Sequence, residues 1–166
     1  MGSRLLASLL MFLGILAGCS GGDGSDSGDG GGPPKVTFAA AGSMVTAGPT
    51  QYCDVKVKEC QAHGDAAVTL KVPPGQAVEV SVPGSVSEAP WQVVFRYRTA
   101  DGTKTQARST IFPAGQRSDY RLELPAADAQ LETVEVQQFG AAMVARADGV
   151  DFATRGTWVL SVDDRP

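Results

Sequence analysis

Trp91-Gln92-Val93-Val94-Phe95-Arg96-Tyr97-Arg98 is the stretch that decides the fold. Large apolar side chains stand at every second position, with glutamine, arginine and one valine between them. Successive side chains of an extended chain point to opposite faces, so this octapeptide buries one face and wets the other. Asp101-Gly102, followed by Lys104 to Phe112, reads as the turn and return arm of a hairpin. Two registers compete. A two-residue Asp101-Gly102 turn would set Arg108 across from Phe95 and Gln106 across from Tyr97, placing polar groups in the core. A three-residue loop, Ala100-Asp101-Gly102 with Gly102 left-handed, sets Ala107 across from Phe95 and Ile111 across from Trp91. The second register keeps the core apolar and is the one expected.

The same period runs through the rest of the chain past residue 65. Val68, Leu70 and Val72 alternate with polar residues, as do Val78, Val80 and Val82, then Tyr120, Leu122 and Leu124, then Val134 and Val136, then Trp158, Leu160 and Val162. Turn residues punctuate these runs at Pro73-Pro74-Gly75, Pro83-Gly84, Pro113-Ala114-Gly115 and Pro125. Helical spacing without a breaker appears only as a trace at Ala126 to Leu131. Seven to nine short half-buried strands imply an all-β, antiparallel, immunoglobulin-like β-sandwich, with a small β-barrel as the second choice. Trp91 suits the mid-sheet tryptophan of that plan, whereas the place of its tyrosine corner, in Asp128-Ala129-Gln130-Leu131, carries leucine. In Val134-Glu135-Val136-Gln137-Gln138-Phe139-Gly140, strict alternation would turn Gln138 inward and Phe139 outward. A bulge explains this better than a polar group aimed into a pocket.

The N-terminus has a different character. Arg4 precedes an apolar run from Leu5 to Leu16, and Leu16-Ala17-Gly18-Cys19 resembles the bacterial lipobox, whose cysteine takes a diacylglyceryl group. The run is too short to span roughly 30 Å of hydrocarbon, which takes about 20 apolar residues, so residues 1–18 read as a signal peptide. Two acyl chains anchor far more firmly than one, at about 0.8 kcal/mol per buried methylene. Residues 19–34 combine the lipidated Cys19 with a tract of Gly, Ser, Asp and Pro that has no apolar side chain to bury and reads as a flexible linker. Within it, Gly21 to Asp29 resembles a calcium-binding nonapeptide repeat but lacks both the core aliphatic and a tandem copy. Residues 35–166 are left as one domain. The expected location is outside the cell, anchored through Cys19 to the outer face of the cytoplasmic membrane.

Of the three cysteines, acylation of Cys19 leaves Cys53 and Cys60, which an oxidising compartment would pair. Seven residues of strand would separate them by about 23 Å, whereas a disulfide needs Cα atoms within roughly 7 Å. The chain must therefore double back around Val55 to Lys58. A catalytic or metal-binding dithiol is the weaker reading, since its usual spacing is two residues.

The expected hairpin register collects Arg96, Arg98, Lys104 and Arg108 on one solvent face, with Arg98 opposite Lys104. Such a face suits anionic lipid headgroups or envelope polymers, or else forms an ion-pair ladder with outward carboxylates such as Glu135. The net charge of −4 argues against nucleic acid as a partner. Catalysis finds little support. His63 is the single histidine, and residues 35–166 have no nucleophile elbow, no Ser-x-x-Lys, no phosphate-binding glycine loop and no His/Cys metal cluster. Asp163-Asp164 belongs to a solvated terminus. No cofactor and no metal are expected.

Four long peptides, Gly48 to Val55, Pro90 to Arg98, Leu131 to Gly140 and Arg155 to Val162, resemble those of a family of actinobacterial exported lipoproteins classed only as a domain of unknown function. The resemblance implies an actinobacterial cell envelope, which the absence of Asn, the presence of two Ile and the wealth of Ala, Gly and Val also suit, and it transfers no functional residue. The function expected is that of a membrane-anchored envelope module without catalysis, contacting an envelope protein, lipid or polymer. The alternative is a carrier of a lipid or other apolar ligand.

Overall fold

A computed structural model describes residues 32–146 and 149–163. The signal segment, Cys19, most of the linker and Asp164 lie outside the described residues. Eleven strands follow in order: β1 (Val36–Ala40), β2 (Ser43–Ala47), β3 (Gln51–Tyr52), β4 (Gln61–Ala62), β5 (Val68–Lys71), β6 (Val78–Ser81), β7 (Trp91–Arg98), β8 (Lys104–Arg108), β9 (Asp119–Leu122), β10 (Gln130–Arg146) and β11 (Gly149–Asp163), with one short helix, α1 (Gly84–Ser87), before β7. They form two sheets, one ordered β2-β1-β6-β9 and the other β4-β3-β11-β10-β7-β8. Neither closes into a barrel. All pairings are antiparallel except that β5 runs parallel to the second half of β11. With β6, β7, β8, β9, β10 and β11 in the places of strands B, C, C′, E, F and G, this is the order of an immunoglobulin-like sandwich.

The core lies between the sheets and is built by the predicted alternation. Trp91, Val93, Phe95 and Tyr97 of β7 point inward, as do Val78 and Val80 of β6, Leu122 of β9, Val134 and Val136 of β10, and Trp158 and Leu160 of β11. Each large apolar side chain buried here contributes about 1.5–3 kcal/mol. The sequence reading gave no strands before residue 65, yet Val36, Phe38 and Ala40 alternate inward in the same way and join this core.

The hairpin register is the expected one over β7 and β8, with Phe95 facing Ala107 and Arg98 facing Lys104. Gly102 takes φ +88°, and Thr99 and Thr103 close a three-residue loop. The expectation for Ile111 fails: Trp91 bridges to Phe112 and Ile111 is exposed. Ser109 breaks the ladder, its hydroxyl accepting from the Val93 amide and donating to the Thr110 carbonyl. The slip brings the larger Phe112 ring to 4.6 Å from Trp91 and 5.3 Å from Tyr120, centroid to centroid.

The bulge near Gln138 is also corrected. The register does shift there, but the extra residue is Arg155 of β11, since Gln138 faces Gly156 and Phe139 faces Thr154. Gln138 therefore keeps the alternation and points inward, fully buried. Its Nε2 donates to the carbonyls of Ser85 and Val86, at 2.8 and 3.0 Å. A four-residue helix leaves its last carbonyls without intrahelical partners, and Gln138 serves that of Ser85 and shares that of Val86 with the Ala89 amide. Phe139 points outward but is covered by Phe152, with ring centroids 6.0 Å apart.

Candidate functional site

The outer face of β7, β8 and β10 carries all four predicted cations. Arg98 stands opposite Lys104, Arg96 opposite Gln106, and Arg108 opposite Val94, so the cations run along two adjacent strands. The compensating carboxylate is Glu132 rather than Glu135, its Oε1 lying 3.0 Å from the Lys104 ammonium. Glu132 reaches it because the β10–β7 ladder shifts between Leu131 and Thr133, leaving Glu132 as an extra residue between them. The sequence reading missed it because a bulge re-aims one side chain without breaking the apolar pattern around it. Arg96 donates from Nε to Thr133 Oγ1, and Glu135 accepts from Gln137 Nε2 at 2.7 Å.

Two shallow depressions adjoin on this face and share Val94, Gln106 and Gln137. One, of about 280 Å³, runs past Arg96 and Glu135; the other, of about 380 Å³, passes Arg108 and ends beneath Asp151 and Phe152. The far part of β10 and β11 thus overhangs the cationic face. Gln92 donates to Gln137 at 2.8 Å and Gln137 donates onward to Glu135, forming a chain of amides along the floor.

On the opposite sheet, Arg121 pairs with Glu123 at 2.7 Å and with Glu79, and these carboxylates push its guanidinium pKa up. In the Asp101-Gly102 loop, the Thr99 hydroxyl and then the Thr103 amide hold the Asp101 carboxyl below its ordinary pKa.

Cys53 and Cys60 form the expected disulfide, and the chain doubles back between them to bring their Cα atoms to 3.9 Å. The Asp54 carboxylate makes the turn by accepting from the amides of Lys56 and Lys58, and the Asp54 carbonyl accepts from Val57. The loop docks on the overhang through the Val55 carbonyl, which accepts from Ala141, and its base is held by Arg155, which donates to the Cys53 carbonyl and lies over Tyr52. His63 is exposed and precedes the short 3₁₀ turn at Gly64–Ala66, its backbone carbonyl accepting from the Ala66 amide. Among the described residues no group of three or more His, Cys, Asp or Glu is placed to hold a metal, and no helix is long and apolar enough to cross a membrane.

Residues 31–163 match the family described as "Protein of unknown function (DUF2771)". The chain is 32% identical over 136 residues to the uncharacterised protein Mb0899c of Mycobacterium bovis and, to the same extent, to the uncharacterised protein Rv0875c of Mycobacterium tuberculosis, in each case covering 76% of both chains. No solved structure matches it. A match over nearly the whole sandwich, with relatives in mycobacteria, bears out the resemblance drawn from its four long peptides: the chain belongs to the DUF2771 family.

Proposed function

We propose that this protein is a lipid-anchored module of the cell envelope that binds another envelope component, protein, lipid or polymer, on the outside of its sandwich and performs no catalysis. The lipobox at Leu16 to Cys19 supports the anchor. The observation that carries the binding mode is the filled interior. Trp91, Trp158, Phe38, Leu122, Leu131 and Leu160 are all fully buried between the sheets. A carrier of an apolar ligand would need a pocket of several hundred cubic ångströms lined by such side chains, and here the side chains themselves occupy the space. The cationic outer face, with its amide-floored depressions, is the binding surface in this reading.

Two measurements test it. Replacing Cys19 with serine is expected to move the protein out of the membrane fraction, and a variant that stays there unaided overturns the anchor. Native mass spectrometry of the protein purified from its own host is expected to show a stoichiometric partner, whereas a co-purifying lipid held within the domain favours the carrier.

A further inference from the structure

The two ends of the sandwich differ in what they expose. At one end lie α1, the first residue of β7, the disulfide loop and the overhang where β10 and β11 run on past Gln138 and Gly156. Of six large apolar side chains exposed among the described residues, five belong to this end: Val55, Ile111, Met143, Val144 and Phe152. The sixth, Met44, sits opposite Ala39 near the β1–β2 turn at the other end. Met143 and Phe152 are cross-strand partners on one face of the overhang, 64% and 42% exposed. Exposed apolar side chains set side by side, as Met143 and Phe152 are, mark interaction surfaces more often than ones scattered singly.

The chain enters the domain at this same end. The Pro34 carbonyl accepts from Trp158 Nε1 at 2.8 Å, and the Trp158 ring leans against Gly156, where the overhang begins. From there β1 runs away, pairing Thr37 with Ser81 just before α1 and then Ala39 with Glu79. A flexible chain of the length from Cys19 to Pro34 would have an r.m.s. reach of roughly 20 Å. The overhang from Gly156 to Gly149 is about 23 Å along the strand. The chain thus enters where the overhang starts, and a flexible tether of that length would match the overhang in reach.

We infer that the β10–β11 overhang is the face that meets the lipid bilayer, with Met143, Phe152 and Val55 entering the interfacial region. This rests on the anchored reading, because the tether is what holds this end near the membrane. Lys56 directly follows Val55 and Lys58 lies two residues further along the same loop; both are exposed, which lets their ammonium groups stay among headgroups while their stems follow the apolar side chain.

The test uses the chain from Ser20 onward, which contains every core residue, with a histidine tag in place of the lipid. It is held on vesicles of phosphatidylglycerol and phosphatidylethanolamine by a nickel-chelating lipid, so the result does not depend on acylation. An environment-sensitive fluorophore is attached through M143C or, as the opposite-end control, M44C. On vesicles the label at 143 is expected to brighten about twofold, shift to the blue and escape iodide quenching, while the label at 44 stays aqueous. Equal iodide quenching at both positions overturns the inference and leaves the anchor standing. A blue shift at 143 that needs no vesicles and grows with protein concentration overturns it in favour of a second copy of the chain. Failure of the Cys19 fractionation test alone would strike the anchor and not this result.

Discussion

Val57 rests against the bare Cα of Gly140: a β-carbon at residue 140 would lie 2.4 Å from the Val57 Cγ2 methyl. The disulfide loop therefore docks on the overhang through the side chain that Gly140 lacks. Val57 also holds φ +56°, a backbone region that a β-branched residue rarely adopts. Gly140→Ala is expected to push the loop off and destabilise the domain by about 1–3 kcal/mol. Adding Val57→Gly removes the 2.4 Å clash, leaving the Val55 carbonyl at 3.3 Å, and suits the positive φ, so the double variant should unfold at a higher temperature than G140A alone. If it does not, the contact is not what couples loop and overhang.

Removing the Cys53–Cys60 bridge tests the same coupling from the other side. Its eight-residue ring restricts the unfolded chain by roughly 2.5 kcal/mol, so the C53S/C60S variant should melt several degrees lower. The Val55 carbonyl, released with the loop, would no longer accept from Ala141. Hydrogen exchange at the Ala141 amide is expected to quicken more than exchange at core amides of β7, and uniform acceleration would mean that the bridge acts only through global stability.

The bond from Trp158 to Pro34 fixes where the linker leaves the sandwich. Trp158→Phe keeps an aromatic ring but leaves the Pro34 carbonyl without its donor, at an expected cost of about 1–3 kcal/mol for the bond and the packing together. Thermal unfolding measures the cost. Proteolysis near Lys35 should also speed up under native conditions; unchanged cleavage would show that the linker is held by something other than this indole.

Asp101 gives a pH signature. Its folded pKa is depressed by the Thr99 hydroxyl and the Thr103 amide, so its contribution to stability is present above the unfolded value and is lost as pH falls through the folded value. An Asp101→Asn variant should lack this dependence. Unfolding curves recorded from pH 7 down to about 2.5 are expected to converge for the two proteins at the acid end. Curves that stay parallel would mean that the loop does not bind its carboxylate more tightly than the unfolded chain does.

These residues also mark how far the sequence could be read. The β7–β8 register was legible because Asp101-Gly102 admits few loops and only one of them keeps charge out of the core. The disulfide was legible from spacing and compartment. Phe112 in place of Ile111 was not, because a serine hydroxyl intercepted a ladder bond, and apolar period carries no trace of that. Gln138 was misread for a related reason: the extra residue lies on the partner strand, and one strand's pattern does not report its neighbour's count. Residues 36–62 hid their strands in short, alanine-rich and glycine-rich segments whose apolar contrast is weak. Glu132 looked like any outward carboxylate until the bulge aimed it at Lys104.

That ion pair separates the two readings of the cationic face. Lys104 is exposed and Glu132 half-buried, and an ion pair at the surface contributes about 0–1 kcal/mol, so the isosteric Glu132→Gln should change the unfolding temperature little. It also removes the negative charge nearest Lys104. If the face recognises anionic polymer or lipid, E132Q should bind anionic vesicles more tightly than the parent, and charge reversal at Arg96 and Arg98 should weaken binding with the domain still folded. Raising the salt concentration should shrink both differences, since exposed charges are screened over about 10 Å at 0.1 M. Co-sedimentation of the chain from Ser20 onward, with no acyl group to mask the effect, gives the measurement. Binding indifferent to all three charges would reduce the patch to a solvated ladder and leave the overhang as the surface through which the domain meets its surroundings.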